Sequence, residues 1–317
     1  MTDHVVGIDI GGTKLAVVVA DKHGNILTKV RKPTEAHRGR AQAIDAILAM
    51  VAEGVASAGL KWEQISGIGV SCGGPLDTKT GIVYSPPNLP GWDAVPLKRL
   101  IEDAFGIPTV IENDANAGAL AEWRFGGGRG YDHVVYMTMS TGIGGGIVVG
   151  GQVYHGANDS AGEVGHQILL PDGPPCGCGK RGCLEALCSG PAIARRAQAA
   201  VKAHSNTRIL ALAGGQIDAV KSEHVVDAAR DGDELAMRLV DETAYYMGWG
   251  IANLVNILNP DIVLIGTIAI AAGDLLLNPI RETVRQMAMQ RPAEVVKIMP
   301  AQLGERIGDL AAIALVI

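Results

Sequence analysis

Apolar positions along this chain alternate between two periods. Residues 5–10 and 15–19 are short β-branched runs on either side of Gly11-Gly12-Thr13. That pattern predicts two strands joined by a turn. The segment Asp21-Lys22-His23-Gly24 predicts a second hairpin turn. Between residues 134 and 149 the device recurs as "VVYMTMSTGIGGGIVV", a run, a threonine-and-glycine turn and a second run. Two such hairpins, each opening half of the chain, indicate a duplicated α/β lobe.

Helical spacing fills the intervals. Apolar residues at 44, 47, 48, 51, 55 and 58 form a stripe, with Gly59 as its stop. Pro191 sits early in "SGPAIARRAQAAVKAH", where a helix tolerates proline. Residues 233–258 read as one long helix or two, 260–266 as a short buried strand, and the segments from Asn278 and from Gly308 as helices. Strands alternating with helices predict an α/β class with a mixed sheet in each of two lobes. A small lobe is expected over 1–115 and a larger one over 116–304, the boundary falling near 114–118. The last helix, about 305–317, is expected to pack back on the first lobe.

Composition narrows the function classes. A net charge of −6 and the lack of any basic run argue against a nucleic-acid surface. The opening "MTDHVVGIDI" has no charged segment leading into an apolar one, so no secretory signal is expected. The uncharged stretch 243–260 carries three asparagines and ends in Asn-Pro, which favours a buried helix over a membrane span. Five cysteines, three of them clustered, suit a reduced cytoplasmic protein with a metal site better than a disulfide framework.

Several short segments carry chemistry. In "DIGGTK", 9–14, the glycines let amides approach an anion, and Thr13 and Lys14 add donors. An ordinary hairpin turn is the other reading. The second copy, "STGIGGG" at 140–146 with Thr141 and Gly142, strengthens phosphate binding. Asp9 suits a Mg²⁺ held through water. Asp114 follows Asn113 at a strand end that runs into a helix. That place fits a general base, and it fits a helix cap, which is the stronger reading from this segment alone. Gly74 lies in "CGGPLD", a tight turn that brings backbone close to a substrate, and Asn88 and Trp92 lie in a proline-rich loop, 85–92, that either lines the same pocket or is simply stiff. Cys72 has no base beside it and reads as a small buried hydrophobe.

The sequence "PPCGCGKRGCLE" packs Cys176, Cys178 and Cys183 into eight positions. A structural zinc site is four-coordinate, so a fourth ligand is needed. His166 of "GEVGH" is the candidate, and Cys188 in "EALCSG" is its rival.

"DIGGTK", "CGGPLD", "NLPGW", "ENDANAGALAE", "STGIGGG", "GEVGH" and "CGCGKRGCLE" occur in this order across nearly the whole chain. In this the sequence resembles the ROK family of bacterial sugar kinases and related transcriptional repressors. The resemblance implies a two-lobed actin-like ATPase fold (ribonuclease H-like) with a sugar in the cleft between the lobes. It implies ATP-dependent phosphorylation of a hexose, glucose first, with Asp114 as base. Asn113, Glu163, His166 and Glu185 would hold the other hydroxyls, with Gly74 and Asn88 nearby. ATP with Mg²⁺ would meet Asp9, Gly11, Gly12, Thr13, Lys14, Thr141, Gly142, Gly266 and Thr267. Zinc on His166, Cys176, Cys178 and Cys183 would order the sugar-reading loop, and a homodimer or dimer of dimers is expected.

One departure stands out. The family usually places a Gly-Gly pair after the strand "PDIVLI", and here it is Gly266-Thr267. Threonine disfavours positive φ, so a reshaped nucleotide pocket is expected. ATP, another nucleotide and polyphosphate all stay open as donors. The same machinery serves mannose, fructose or N-acetylmannosamine. A sugar-sensing regulator is the alternative of another class; those carry a helix-turn-helix ahead of the first lobe, for which a first strand at residue 5 leaves no room. Intact Asp9, Lys14 and Asp114 speak against a catalytically dead binder.

Overall fold

The β-branched runs at the start of the chain form β1 (His4–Ile10) and β2 (Lys14–Asp21), paired antiparallel with Ile10 opposite Leu15. The computed structural model describes residues 3–86, 88–204 and 206–317, so Pro87 of the proline-rich loop lies outside it. The chain divides into two compact units. One comprises Met1–Arg129, Gln152–Ala161 and Glu305–Ile317; the other comprises Gly130–Gly151 and Gly162–Gly304. The boundary expected near 114–118 falls inside a helix that belongs wholly to the first unit. That helix packs on the first unit's own C-terminal helix, which is what holds it there.

In the first unit the sheet order is β3-β2-β1-β4-β7. Here β3 is Ile26–Pro33, β4 is Ile65–Cys72 and β7 is Thr109–Asn113, while β5 (Leu76–Asp77) and β6 (Ile82–Val83) form a separate small hairpin. β1 runs parallel to β4, and β4 to β7. Residues of β1, β2 and β4 are almost all buried, as expected of strands covered on both faces. α1 (Arg40–Ser57) and α12 (Ile307–Ala314) pack on these strands, and α2 (Leu97–Phe105) packs on β7. The expected stripe on α1 turns slightly: Ile47, Val51 and Val55 are buried, joined by Ala43, Met50 and Gly54. α12 lies so close to β4 that a Cβ on Gly69 would sit 1.9 Å from the Ala312 carbonyl oxygen. No residue but glycine fits there. β7 runs directly into α3 (Asp114–Phe125).

The second unit repeats the pattern with the strand order β9-β8-β11-β12. β8 (His133–Met139) and β9 (Ile143–Val149) form the hairpin, and β11 (Ile262–Ile265) and β12 (Lys297–Pro300) extend the sheet in parallel; β10 (Gln152–Val153) lies in the first unit's segment 152–161. Its helices include α4 (Leu184–Cys188), α5 (Gly190–Ala203), α6 (Arg208–Leu212), α7 (Ser222–Arg230), α9 (Ile268–Ala272), α10 (Asp274–Met287) and α11 (Gln290–Val295). The stretch 233–258 is a single 25-residue helix, α8 (Glu234–Leu258). Asp233 caps it by accepting from the Ala236 N–H at 2.9 Å, and Asn259 ends it in the left-handed region. Its face of Leu239, Ala244, Met247, Ile251 and Val255 joins the second unit's core. Among the described residues no helix is long and apolar enough to cross a membrane.

Candidate active site and metal centre

The first glycine turn closes through the Gly11 N–H donating to the Lys14 carbonyl at 3.0 Å. Thr34 braces it, its hydroxyl donating to the Gly11 carbonyl at 2.6 Å. Thr13 and Lys14 project into solvent, and a Cβ on Gly12 would meet the Cβ of Asn88 at 2.5 Å. Asn88 is therefore packed on the glycine turn. Trp92, considered as a pocket residue, is 2% exposed and belongs to the core. Asp9, at the strand end, lies against the start of α12, where a Cβ on Gly308 would meet its Oδ2 at 2.7 Å. Burial pushes the Asp9 carboxyl above its usual range; Lys14 and Arg31 pull it down, while Asp114 and Asp309 add to the rise. Asp309 is itself buried and paired with the Lys29 ammonium.

At the junction of β7 and α3 the two readings of Asn113-Asp114 separate. Asn113 is the cap: its Oδ1 accepts from the Ala115 N–H at 2.9 Å and from the Asn116 N–H at 3.4 Å. Asp114 occupies the first helical position, with Oδ1 accepting from the Ala115 N–H at 2.8 Å. Its side chain is reachable by solvent yet recessed among surrounding protein, and that desolvation raises its carboxyl above the usual range against the two backbone N–H groups that lower it. Water at the accessible face tempers the rise. A Cβ on Gly74 would lie 3.2 Å from the Asn113 Nδ2, so Gly74 is the neighbour of Asn113. Cys72, fully buried with its thiol pushed up to about 12 by burial, is no nucleophile.

In the second unit the turn between β8 and β9 closes through the Ser140 N–H and the Gly142 carbonyl, 2.9 Å apart. Ser140 and Thr141 line a cavity of about 320 Å³ together with Gly190, Pro191, Lys221 and Ile268, a volume within the range of small-ligand sites. A second cavity of about 320 Å³, lined by Arg281, Arg285 and Lys297, holds none of the expected residues. Gly266 and Thr267 immediately precede Ile268. Thr267 adopts φ 56°, ψ −103°, so the backbone takes a glycine-like conformation in spite of the side chain. The threonine adds a Cβ and a hydroxyl at this position, the hydroxyl 3.3 Å from that of Thr138. Such a residue costs on the order of 1–3 kcal/mol. Thr267→Gly is expected to raise the thermal midpoint by about 2 °C, after glycine's larger unfolded-state entropy is counted. A midpoint unchanged or lower in differential scanning calorimetry would show no strain at this position.

His166, Cys176, Cys178 and Cys183 bring one ligand atom each within 4.8 Å of one another. Cys178 Sγ and Cys183 Sγ are 3.7 Å apart, as are Cys176 Sγ and His166 Nδ1. The edge of a tetrahedron with zinc–sulfur bonds is about 3.8 Å, so the set fits zinc. Burial pushes the Cys183 thiol up to about 12 and Cys176 upward as well; a bound dication is what holds such groups as thiolates. Cys188 is apart from the cluster, fully buried at the end of α4, with its Sγ 3.5 Å from the Thr243 carbonyl. Using Nδ1 for metal leaves His166 Nε2 facing the exposed Glu163 at 3.7 Å. Glu185 supports the turn: its Oε2 accepts from the Ile143 N–H at 3.0 Å, under Gly142, and its Oε1 lies 3.6 Å from Cys176 Sγ.

Sequence reasoning missed Thr34, Glu112 and His155. Glu112 is 4% exposed and stands beside Asn113 inside the segment "ENDANAG"; a buried carboxylate there was the available signal.

Comparison with known proteins gives a consistent result. A glucokinase of Thermotoga maritima is 36% identical over 98% of this chain and 96% of its own length. The crystal structure of a ROK family glucokinase from Streptomyces griseus in complex with glucose and AMPPNP superposes with a TM-score of 0.80 at 36% identity, covering 98% of this chain and 97% of that one. A putative xylose repressor of a Caldicellulosiruptor species is 34% identical over 99% of this chain but 78% of its own length. The ROK family description matches residues 5–317, and the two mixed α/β units are those of the actin-like ATPase fold. The chain belongs to the ROK family.

Proposed function

We propose that this protein is a sugar kinase that transfers the γ-phosphoryl group of ATP to the 6-hydroxyl of glucose. The observation that carries the reading is Asp114: a recessed but solvent-reachable carboxylate on the first turn of α3, fixed by the Asn113 cap. Asp114 takes the hydroxyl proton as that oxygen attacks the γ-phosphorus. The bond to the bridging oxygen breaks, and ADP leaves. Phosphoryl transfer needs positioning and charge neutralisation more than covalent help. The amides and side chains of Gly11, Gly12, Thr13 and Lys14, and those of Thr141 and Gly142, are assigned to the phosphates. Magnesium would neutralise phosphate charge, with Asp9 holding it through water. Gly266 and Thr267 are assigned to the nucleoside. Asn113, Glu163, His166 and Glu185 are assigned to the sugar hydroxyls, Gly74 and Asn88 to their surroundings, and the zinc set to ordering the loop that carries Glu163 and His166.

The enzyme is read as cytoplasmic and as a homodimer or dimer of dimers. Purified protein with Mg-ATP and a panel of glucose, mannose, fructose, N-acetylmannosamine and N-acetylglucosamine is expected to release ADP fastest with glucose. A faster rate with another sugar would move the substrate and keep the chemistry. Silence across the panel with sugar binding intact would overturn the kinase reading in favour of a sugar sensor, which the repressor relative supports.

A further inference from the structure

We propose that His155, acting through Glu112, is a positioning residue that holds the Asn113-Asp114 junction in its working geometry; this rests on the kinase reading only for the activity it predicts. Glu112 is buried at the end of β7, and each oxygen of its carboxylate is engaged. Oε1 accepts from the Asn113 N–H at 2.8 Å and from the Asn116 Nδ2 at 3.1 Å. Oε2 lies 2.6 Å from His155 Nε2. The Asn116 Oδ1 has no partner among the described residues, so the orientation of that amide is set by the carboxylate. One buried charge thus fixes the backbone of Asn113 and the side chain of Asn116, on either side of Asp114.

A buried carboxylate needs a partner, and His155 is the cationic one. It sits in the first unit's segment 152–161, which is tied to the rest of that unit through this contact and through Thr78, whose N–H and hydroxyl both meet the Asp159 carboxylate at 3.0 Å. Three charged groups act on His155. Glu112 raises its pKa, chiefly through the hydrogen bond, and Asp159 adds to the rise; Lys79 opposes it, as does burial. The imidazolium therefore persists above the ordinary histidine range. Its contribution is complete at low pH and is lost as pH climbs through that raised value. Beyond it the charge-assisted bond weakens and Glu112 faces a neutral ring.

The test pairs His155→Gln with Glu112→Gln; His155 is 35% exposed at the side chain, so its replacement is expected to fold. Wild type should show an alkaline limb in kcat/KM for glucose. His155→Gln should flatten that limb and lower the neutral-pH value about tenfold, leaving KM for ATP within about twofold. Two readouts need no turnover. The His155 imidazole titration, followed by NMR, should lie above the ordinary histidine value in wild type and fall in Glu112→Gln. Exchange protection of the Asn113 amide should drop about tenfold in His155→Gln. An unchanged titration in Glu112→Gln, together with unchanged protection of Asn113, overturns the proposal whether or not glucose is phosphorylated. A wild type without turnover overturns the kinase reading alone.

Discussion

Asp114→Asn is expected to lower kcat for glucose phosphorylation about a thousandfold, because a positioned base contributes roughly 10²–10⁴. Glucose affinity should stay within about threefold, since the amide keeps the shape of the side chain and the Ala115 N–H contact. Calorimetric titration with glucose and an ADP-release assay measure the two effects separately. The pH dependence follows from the same group. A base must be ionised, and desolvation places the Asp114 carboxyl above its usual range. Activity in wild type should therefore fall as pH drops through that raised value, while the fold is intact. Stability runs the other way. A carboxyl whose folded pKa is raised loses stability as pH rises from its unfolded to its folded value. The Asn variant should be slightly more stable than wild type at neutral pH, as expected where function holds a charge in an unfavourable place. A variant that keeps a tenth of wild-type kcat would show that Asp114 is not the base.

Zinc content gives the second large effect. Wild type is expected to carry about one zinc per chain by elemental analysis. Cys178→Ser, at the exposed corner of the cluster, should lose it. The loss should lower the thermal midpoint by roughly 10 °C, since a structural zinc contributes several kcal/mol of folding free energy. It should also raise KM for glucose about tenfold or more, because His166 Nδ1 would lose its anchor and the segment with Glu163 its reference point. Cys188→Ser is the control and should retain the metal, as Cys188 lies outside the cluster. Metal-free wild type with unaltered sugar kinetics would end the assignment of a zinc role here.

The elements were legible where a periodic signal met a turn residue. The hairpins of β1–β2 and β8–β9, Gly59 past α1 and Pro191 in α5 are of this kind. Local sequence also marked the three clustered cysteines, because that residue type at that spacing has few other uses, whereas Asp114 beside Asn113 read locally as a helix cap as readily as a base. Burial was less legible. Trp92 looks like a pocket residue in a proline-rich loop, yet its neighbours in the fold enclose it. Threonine at 267 disfavours positive φ, and the surrounding structure holds it at φ 56° all the same. His155 gave no local sign at all, since its partner lies 43 positions earlier in the chain. A contact of that kind arises from topology, not from spacing.

The close seat of α12 on Gly69 has a consequence for biosynthesis. The first unit's sheet is made early, but the helix that covers one of its faces emerges only after all of the second unit. Until then β1 and β4 present an uncovered apolar face to the cell, while the second unit, continuous from Gly162 to Gly304 apart from its hairpin, has everything it needs. The half of the molecule that leads in the sequence thus completes its fold last, and it is the half that a nascent chain must shield from aggregation.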